Sequence, residues 1–453
     1  MEKKLTFRQI LAIASMLFGM FFGAGNLIFP VSMGQMAGRN MWQAAAGFLV
    51  TGVGMPLLAV AALGLSRERS LLELSCRVGR RYGLFFTCAL YLTIGPFFAI
   101  PRCATVSYTV GIERVLPTGA WQGVALAVFS LAFFAVVLAL SLRPGQILTW
   151  IGKVLNPLFL CVLAILLLRA LTAPLGDPAA IEPTGAYATG AFFTGMLEGY
   201  NTVDALAALA FGIVVINVIR GLGVEQPGEV AKYTVRAGVF SSLLMALIYV
   251  LVTLMGAQSR GVFAVSSNGG EGLADIAQYY FGGAGAAILA VAVTLACLKT
   301  AVGLITSCSE TFVKIFPNGP SYRVWVVLFC ALSFLIANLG LEKITDYSLP
   351  VLMFLYPLAI VLILLTLAGR AFDNDRVVLR WSLTLTGVAA VFDLVRTLPE
   401  ATQAALHLGA AVQWAEGWLP LGQYGFGWVC PALIGLAAGW VHHLLRRRRR
   451  SAA

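Results

Sequence analysis

The chain has 453 residues, of which 59% are hydrophobic and only 11% charged. A soluble globular domain is nearer a quarter charged, and segments apolar all round cannot form the amphipathic helices of a water-soluble bundle, so a soluble fold is excluded. The net charge of +11 is spread over short connections rather than gathered on one face, which argues against a nucleic-acid partner.

Twelve apolar segments follow in chain order, near 9–37, 42–65, 83–111, 120–141, 147–171, 188–219, 233–257, 277–315, 323–340, 345–369, 379–396 and 425–445. A bilayer span needs about 20 residues, so the pattern predicts an all-α membrane protein with twelve transmembrane helices. "MEKKLTFRQ" and the run after it resemble a signal peptide, but the run resumes with "NLIFP", so an uncleaved first span is expected. The sixth and eighth segments are too long for a plain span. Residues 398–424 are amphipathic and read as an interfacial helix and loop.

With the N-terminus inside, the inner connections carry 23 Lys and Arg and the outer ones 6. The positive-inside rule then puts both termini in the cytoplasm. The closing run Arg446 to Arg450 reads as an anchor beside anionic lipid. The eight cysteines show no CxxC spacing and read as small buried hydrophobes. Two basic residues, Arg102 and Lys299, fall inside apolar segments.

The first segment carries "FFGAGNLIFP", residues 21–30. Two glycines, an asparagine and a proline weaken the helix and free backbone groups. In hydrocarbon each free group costs several kcal/mol, so such a break survives only in protein or beside a wet cavity. The second half-helix then offers N–H donors and partial positive charge to a carboxylate, and the first offers carbonyls to a cation. Gly23, Ala24, Gly25 and Asn26 therefore form a plausible zwitterion site, although a lone glycine cluster also serves helix packing. The sixth segment carries a second break, "LEGYNTVDALAAL" (197–209), with Glu198, Tyr200, Asn201 and Asp204 in an apolar run. Segments one and six open two five-span halves, and interruptions at matching positions of two halves point to a transporter site.

These motifs, with "GPFFAIPRCATVSYTVG" (95–111) and "EGYNTVDALAALAFGIVVINVIR" (198–220), resemble the branched-chain amino acid transporter family, the bacterial LIVCS carriers. The similarity covers nearly the whole chain. The family belongs to the amino acid–polyamine–organocation superfamily. The resemblance implies a LeuT-like fold: inverted repeats over 1–175 and 176–370, helices one and six broken near 23–26 and 198–204, and two extra helices with a basic C-terminus over 371–453. It also implies uptake of leucine, isoleucine and valine across the bacterial cytoplasmic membrane, coupled to Na⁺ or H⁺, with no other cofactor. One local departure is Val31, where the family often has a second proline.

By the half-helix argument, N–H groups of Ala24, Gly25 and Asn26 would hold the substrate carboxylate, and carbonyls near Met20, Phe21 and Tyr200 its ammonium. Phe97, Phe98, Pro101, Leu206 and Phe211 are candidates for the apolar wall, with plain core packing the alternative for Phe97 and Phe211. Ionisable residues within spans are functional by default. Arg102 and Glu198 are expected to form a gate or structural pair, with Asp204 as an alternative partner or a helix cap. The LeuT-like fold implies a sodium site between Gly19 and Phe22 of helix one and Ala296 and Thr300 of helix eight. Lys299 stands beside that site. Two alternatives stay open: its ammonium replaces the ion in a proton-coupled or sodium-independent carrier of small neutral amino acids, or it points elsewhere and an ordinary Na⁺ site persists.

A channel would need pore-lining charge repeats or a filter sequence, and none is present. An intramembrane enzyme would need a nucleophile–base pair or a metal cluster, and the three histidines, 407, 442 and 443, all lie near the C-terminus. A non-enzymatic carrier is expected; a receptor on the same scaffold would bind without accumulating.

Overall fold

The computed structural model describes residues 4–23, 25–66, 68, 70–113, 121–142, 156–409 and 419–451. Ala24, residues 147–155 of the fifth apolar segment, residues 410–418 and the connection charges Lys3, Arg67, Arg69, Arg114, Arg143 and Lys153 lie outside the described residues.

The chain opens with α1 (Phe7–Phe21), started by a capping box in which the Thr6 hydroxyl accepts from Gln9 N–H and the Gln9 side chain accepts from Thr6 N–H. After a break comes α2 (Gly25–Ala37). Next, α3 (Met41–Leu49) runs through a π turn at Val50–Gly54 into α4 (Met55–Ser66). The short α5 (Leu71–Cys76) precedes α6 (Arg80–Leu92), which passes through a second π turn, Thr93–Phe97, into α7 (Ala99–Gly111). Helices α8 (Trp121–Ser141) and α9 (Asn156–Thr172) follow. A second interrupted pair is α10 (Tyr187–Asn201) and α11 (Asp204–Gly221). The chain continues with α12 (Pro227–Ser259), α13 (Gly269–Ile315), α14 (Tyr322–Ala337), α15 (Leu341–Leu367), α16 (Arg376–Thr397), the short α17 (Glu400–Ala405) and α18 (Val429–Ser451).

Every regular element among the described residues is helical. Nine stretches among them are long and apolar enough to cross a membrane, and α1, α9 and α14 are shorter apolar helices. Near the start of the eighth segment α13 bends at Gly282, whose φ of 63° lies in the left-handed region that glycine adopts without strain. Its outer surface is apolar, with Val128 and Leu131 on α8 and Ile288 and Val291 on α13 all exposed. That surface suits acyl chains and not water.

Two features fix the interior. The broken helices pack crosswise, α1 on α11 and α2 on α10, as an inverted pair would. Glycine then allows backbones to touch. A Cβ on Gly47 of α3 would stand 1.9 Å from the Phe192 carbonyl oxygen of α10, and one on Gly195 of α10 would stand 2.0 Å from the Ala44 carbonyl oxygen of α3. Gly34 of α2 and Gly256 of α12 meet the same way, at 2.1 Å from Thr253 O and 2.3 Å from Val31 O. Small-residue seams of this kind replace the hydrophobic drive that helices lack in lipid.

Candidate functional site

The first break is short. Helix α1 ends at Phe21 and α2 begins at Gly25, so Gly25 and Asn26 are already helical. The Asn26 carboxamide reaches back, its Oδ1 accepting from Gly23 N–H at 2.7 Å. Its Nδ2 crosses to the second break and donates to Asp204 Oδ2 at 2.7 Å and to the Tyr249 hydroxyl. Tyr249, from α12, donates to the same Asp204 oxygen at 2.7 Å. Asn26, Asp204 and Tyr249 are each 1% exposed. One knot thus joins both broken helices to an unbroken one, and a buried polar network of this kind holds only when its members are satisfied.

The second break is a single strained step. Helix α10 persists through Asn201, Thr202 Oγ1 accepts from Asp204 N–H at 3.3 Å, and Val203 sits at φ 58°, ψ 15°. A β-branched residue in the left-handed region is a genuine outlier, costing of order 1–3 kcal/mol, and such strain concentrates at functional sites. Glu198, Tyr200 and Asn201 therefore belong to the last turn of α10 and not to unwound chain. The Tyr200 carbonyl, expected to face an ammonium, accepts instead from Val203 N–H at 3.0 Å. The Tyr200 ring is stacked on Tyr356 of α15 with centroids 4.0 Å apart.

Between the breaks lies a cavity of about 30 Å³. Of the expected substrate residues, Gly23, Gly25, Asn26, Asp204 and Phe211 line it, together with Met20 and Phe21. Phe97, Phe98, Tyr200 and Asn201 do not, nor do Pro101 and Leu206. The π turn explains the first of these. Gly95 has ψ −126° and Pro96 supplies no N–H, so the helix swings there, presenting Ile94 and Ala99 to the cavity while Phe97 is 36% exposed.

The expected Arg102–Glu198 pair is not formed, and Arg102 makes no ion pair with Asp204 either, among the described residues. The Arg102 guanidinium, 2% exposed, lies over the Phe29 ring at 4.9 Å and lines the cavity. Glu198 accepts from Asn201 Nδ2 at a long 3.4 Å. Near the implied ion site, Thr300 lines the cavity against Gly23 and donates its hydroxyl to Ala296 O at 3.1 Å. Gly19 is buried, and Phe22 is stacked on Phe18.

A family model described as "Branched-chain amino acid transport protein" matches residues 6–446. The chain belongs to the branched-chain amino acid transporter family. It is 50% identical to the branched-chain amino acid permease BrnQ of Lactobacillus delbrueckii subsp. lactis, over 99% of this chain and 100% of that one. It is 40% identical to the branched-chain amino acid transport system 2 carrier protein of Pseudomonas aeruginosa, over 98% of each. Among solved structures it resembles the inward-facing conformation of Mhp1, with a TM-score of 0.61 at 15% identity over 96% of this chain and 90% of that one. It also resembles MhsT in complex with L-phenylalanine, with a TM-score of 0.54 at 14% identity over 98% and 99%. These likenesses establish a LeuT-like fold, as the sequence resemblance implied.

In this branched-chain amino acid transporter, Tyr249 of the buried knot escapes a sequence reading, and so do wall residues such as Cys103 and Leu304. Tyr249 is the most consequential, and its one signal is a hydroxyl within the otherwise apolar stretch 243–251 of α12. Cys103, on α7 next to Arg102, lines the cavity as a small apolar group.

Proposed function

We propose that this chain carries leucine, isoleucine and valine across the bacterial cytoplasmic membrane by alternating access, coupled to a cation, with both termini cytoplasmic. The observation that carries the reading is the convergence of both helix breaks on one cavity tied by Asn26, Asp204 and Tyr249. The first turn of α2 supplies N–H groups without intrahelical acceptors, suited to a carboxylate. Ile94, Ala99, Ala207, Phe211 and Leu304 supply an apolar wall suited to a branched alkyl group. At about 30 Å³ the cavity is far below the few hundred Å³ usual for a small-molecule site. Loading therefore requires the half-helices to part, as alternating access demands. The first five spans, to residue 175, and the next five, to 370, form the two repeats in this reading.

For the coupling ion, carbonyls of Gly19 and Phe22 with Ala296 and Thr300 form the sodium-like site. Thr300 on the cavity wall favours this placement, because an ion there would be felt by the substrate. Lys299, its neighbour on α13, supports a second reading in which an ammonium takes the ion's place and a proton is carried. Valine uptake into proteoliposomes under an inward Na⁺ gradient, an inward H⁺ gradient or neither decides between them. Concentrative uptake with Na⁺ alone supports the sodium site, and with H⁺ alone supports Lys299. Folded protein that gives no saturable uptake under any gradient overturns the branched-chain assignment.

A further inference from the structure

The two charged side chains on the cavity are not equivalent. Asp204 is fastened: its Oδ2 accepts from Asn26 Nδ2 and from Tyr249 OH, both at 2.7 Å. Arg102 is held by packing alone, its guanidinium carbon 4.9 Å from the centre of the Phe29 ring and no carboxylate within ion-pair reach among the described residues. Arg102 Nη2 lies only 3.5 Å from where a Cβ on Gly25 would be, beside the N-terminus of α2. A guanidinium and the free N–H groups of a helix start therefore converge on one point. A buried cation without an anion is costly, and a planar fork with five donors matches a carboxylate. The same positive end of α2 repels the guanidinium unless an anion comes between them.

We infer that Arg102 binds the α-carboxylate of the substrate, with Asp204 opposite it facing the α-ammonium, so that this pair selects free α-amino acids over their carboxyl-blocked analogues. The inference rests on the amino acid carrier reading and adds the residue that recognises the head group. Phe29 backs the guanidinium, and Gly25 leaves free the space that a Cβ would take 3.5 Å from its Nη2.

The test is equilibrium binding of valine and of its carboxamide to the purified full-length chain. Wild type should prefer valine by about 100-fold, because a site built for a charged hydrogen-bonding group rejects a ligand that lacks it. In Arg102→Gln the preference should fall to about threefold or less, with valine binding weakened by about 100-fold and carboxamide binding little changed. In Arg102→Lys the charge remains without the fork, and a preference of about tenfold should survive. An Arg102→Gln protein in which carboxamide binding weakens as much as valine binding, so that the preference for valine survives, shows a purely structural arginine and overturns the inference. So does a wild type that binds the two ligands alike, a result that needs no variant to fold. A wild type that binds neither, in protein shown to be folded, counts against the carrier reading itself.

Discussion

Asp204→Ala should reduce valine uptake by more than about 100-fold, because it removes the acceptor of two buried donors at once. Asn26 Nδ2 and the Tyr249 hydroxyl both donate to Asp204 Oδ2. Leaving a buried donor unpaired costs about 1–3 kcal/mol each, enough together to separate the two breaks. Asp204→Asn keeps an acceptor oxygen and should retain part of the activity. Tyr249→Phe removes one donor while its ring keeps the edge contact with Phe48 at 5.0 Å and the stack on Phe22 at 6.2 Å, so it should cost only about 1 kcal/mol of stability. Proteoliposome uptake, beside size-exclusion profiles of the same preparations, checks the series. Wild-type uptake by Asp204→Ala would show that the cavity is not where the substrate binds.

Gly47→Ala should destabilise the protein by about 3 kcal/mol or more, out of proportion to one methyl group. The new Cβ would lie 1.9 Å from the Phe192 carbonyl oxygen and 2.9 Å from its carbon. Those are backbone atoms and cannot turn aside, so α10 must move bodily. Its far end carries Asn201 and the strained step at Val203, and the displacement reaches the cavity. Gly123→Ala is the matched control. It is a helical glycine on the exposed side of α8 with nothing within 4 Å of an added Cβ. There the change should stabilise by up to about 1 kcal/mol through helix propensity. Thermal unfolding in detergent reads both. Equal melting temperatures would show that α3 and α10 are not in backbone contact in the folded protein.

The membrane class, the helical fold and both helix breaks are legible in the sequence because each needs residues that an ordinary span would not contain. Gly23, Gly25 and Asn26 have no reason to sit together in a lipid-facing helix, and Asp204 has none in an apolar one. The extent of unwinding is not legible. Asn26 folds back to cap Gly23, which lets α2 start at Gly25, and Val203 absorbs the second break alone in a conformation that its branched side chain disfavours. Tyr249 is hidden for a different reason. Among Leu, Met and Ile of α12 it reads as one more core aromatic, and its role exists only through residues 26 and 204, remote in the chain. Phe97 misleads because the π turn at Thr93–Phe97 redirects it, and no periodicity argument anticipates an extra residue in a helical turn. Arg102 is legible as a cation inside a span, but its surroundings are not, because no acid of this chain completes the expected pair among the described residues.

Val203 also bears on how the carrier's time is divided among its conformations. A carrier turns over fastest when no one form is a deep trap, and the free-energy differences that matter are small, since about 1.4 kcal/mol changes a ratio of populations tenfold. The backbone of Val203 loads this form with an energy of that same order. Whatever fraction is released when α10 and α11 reorient lowers the standing of the form described here against the others. In the alternating-access reading, a single residue at the joint thus acts as a counterweight, keeping the form described here from becoming the resting place of the cycle.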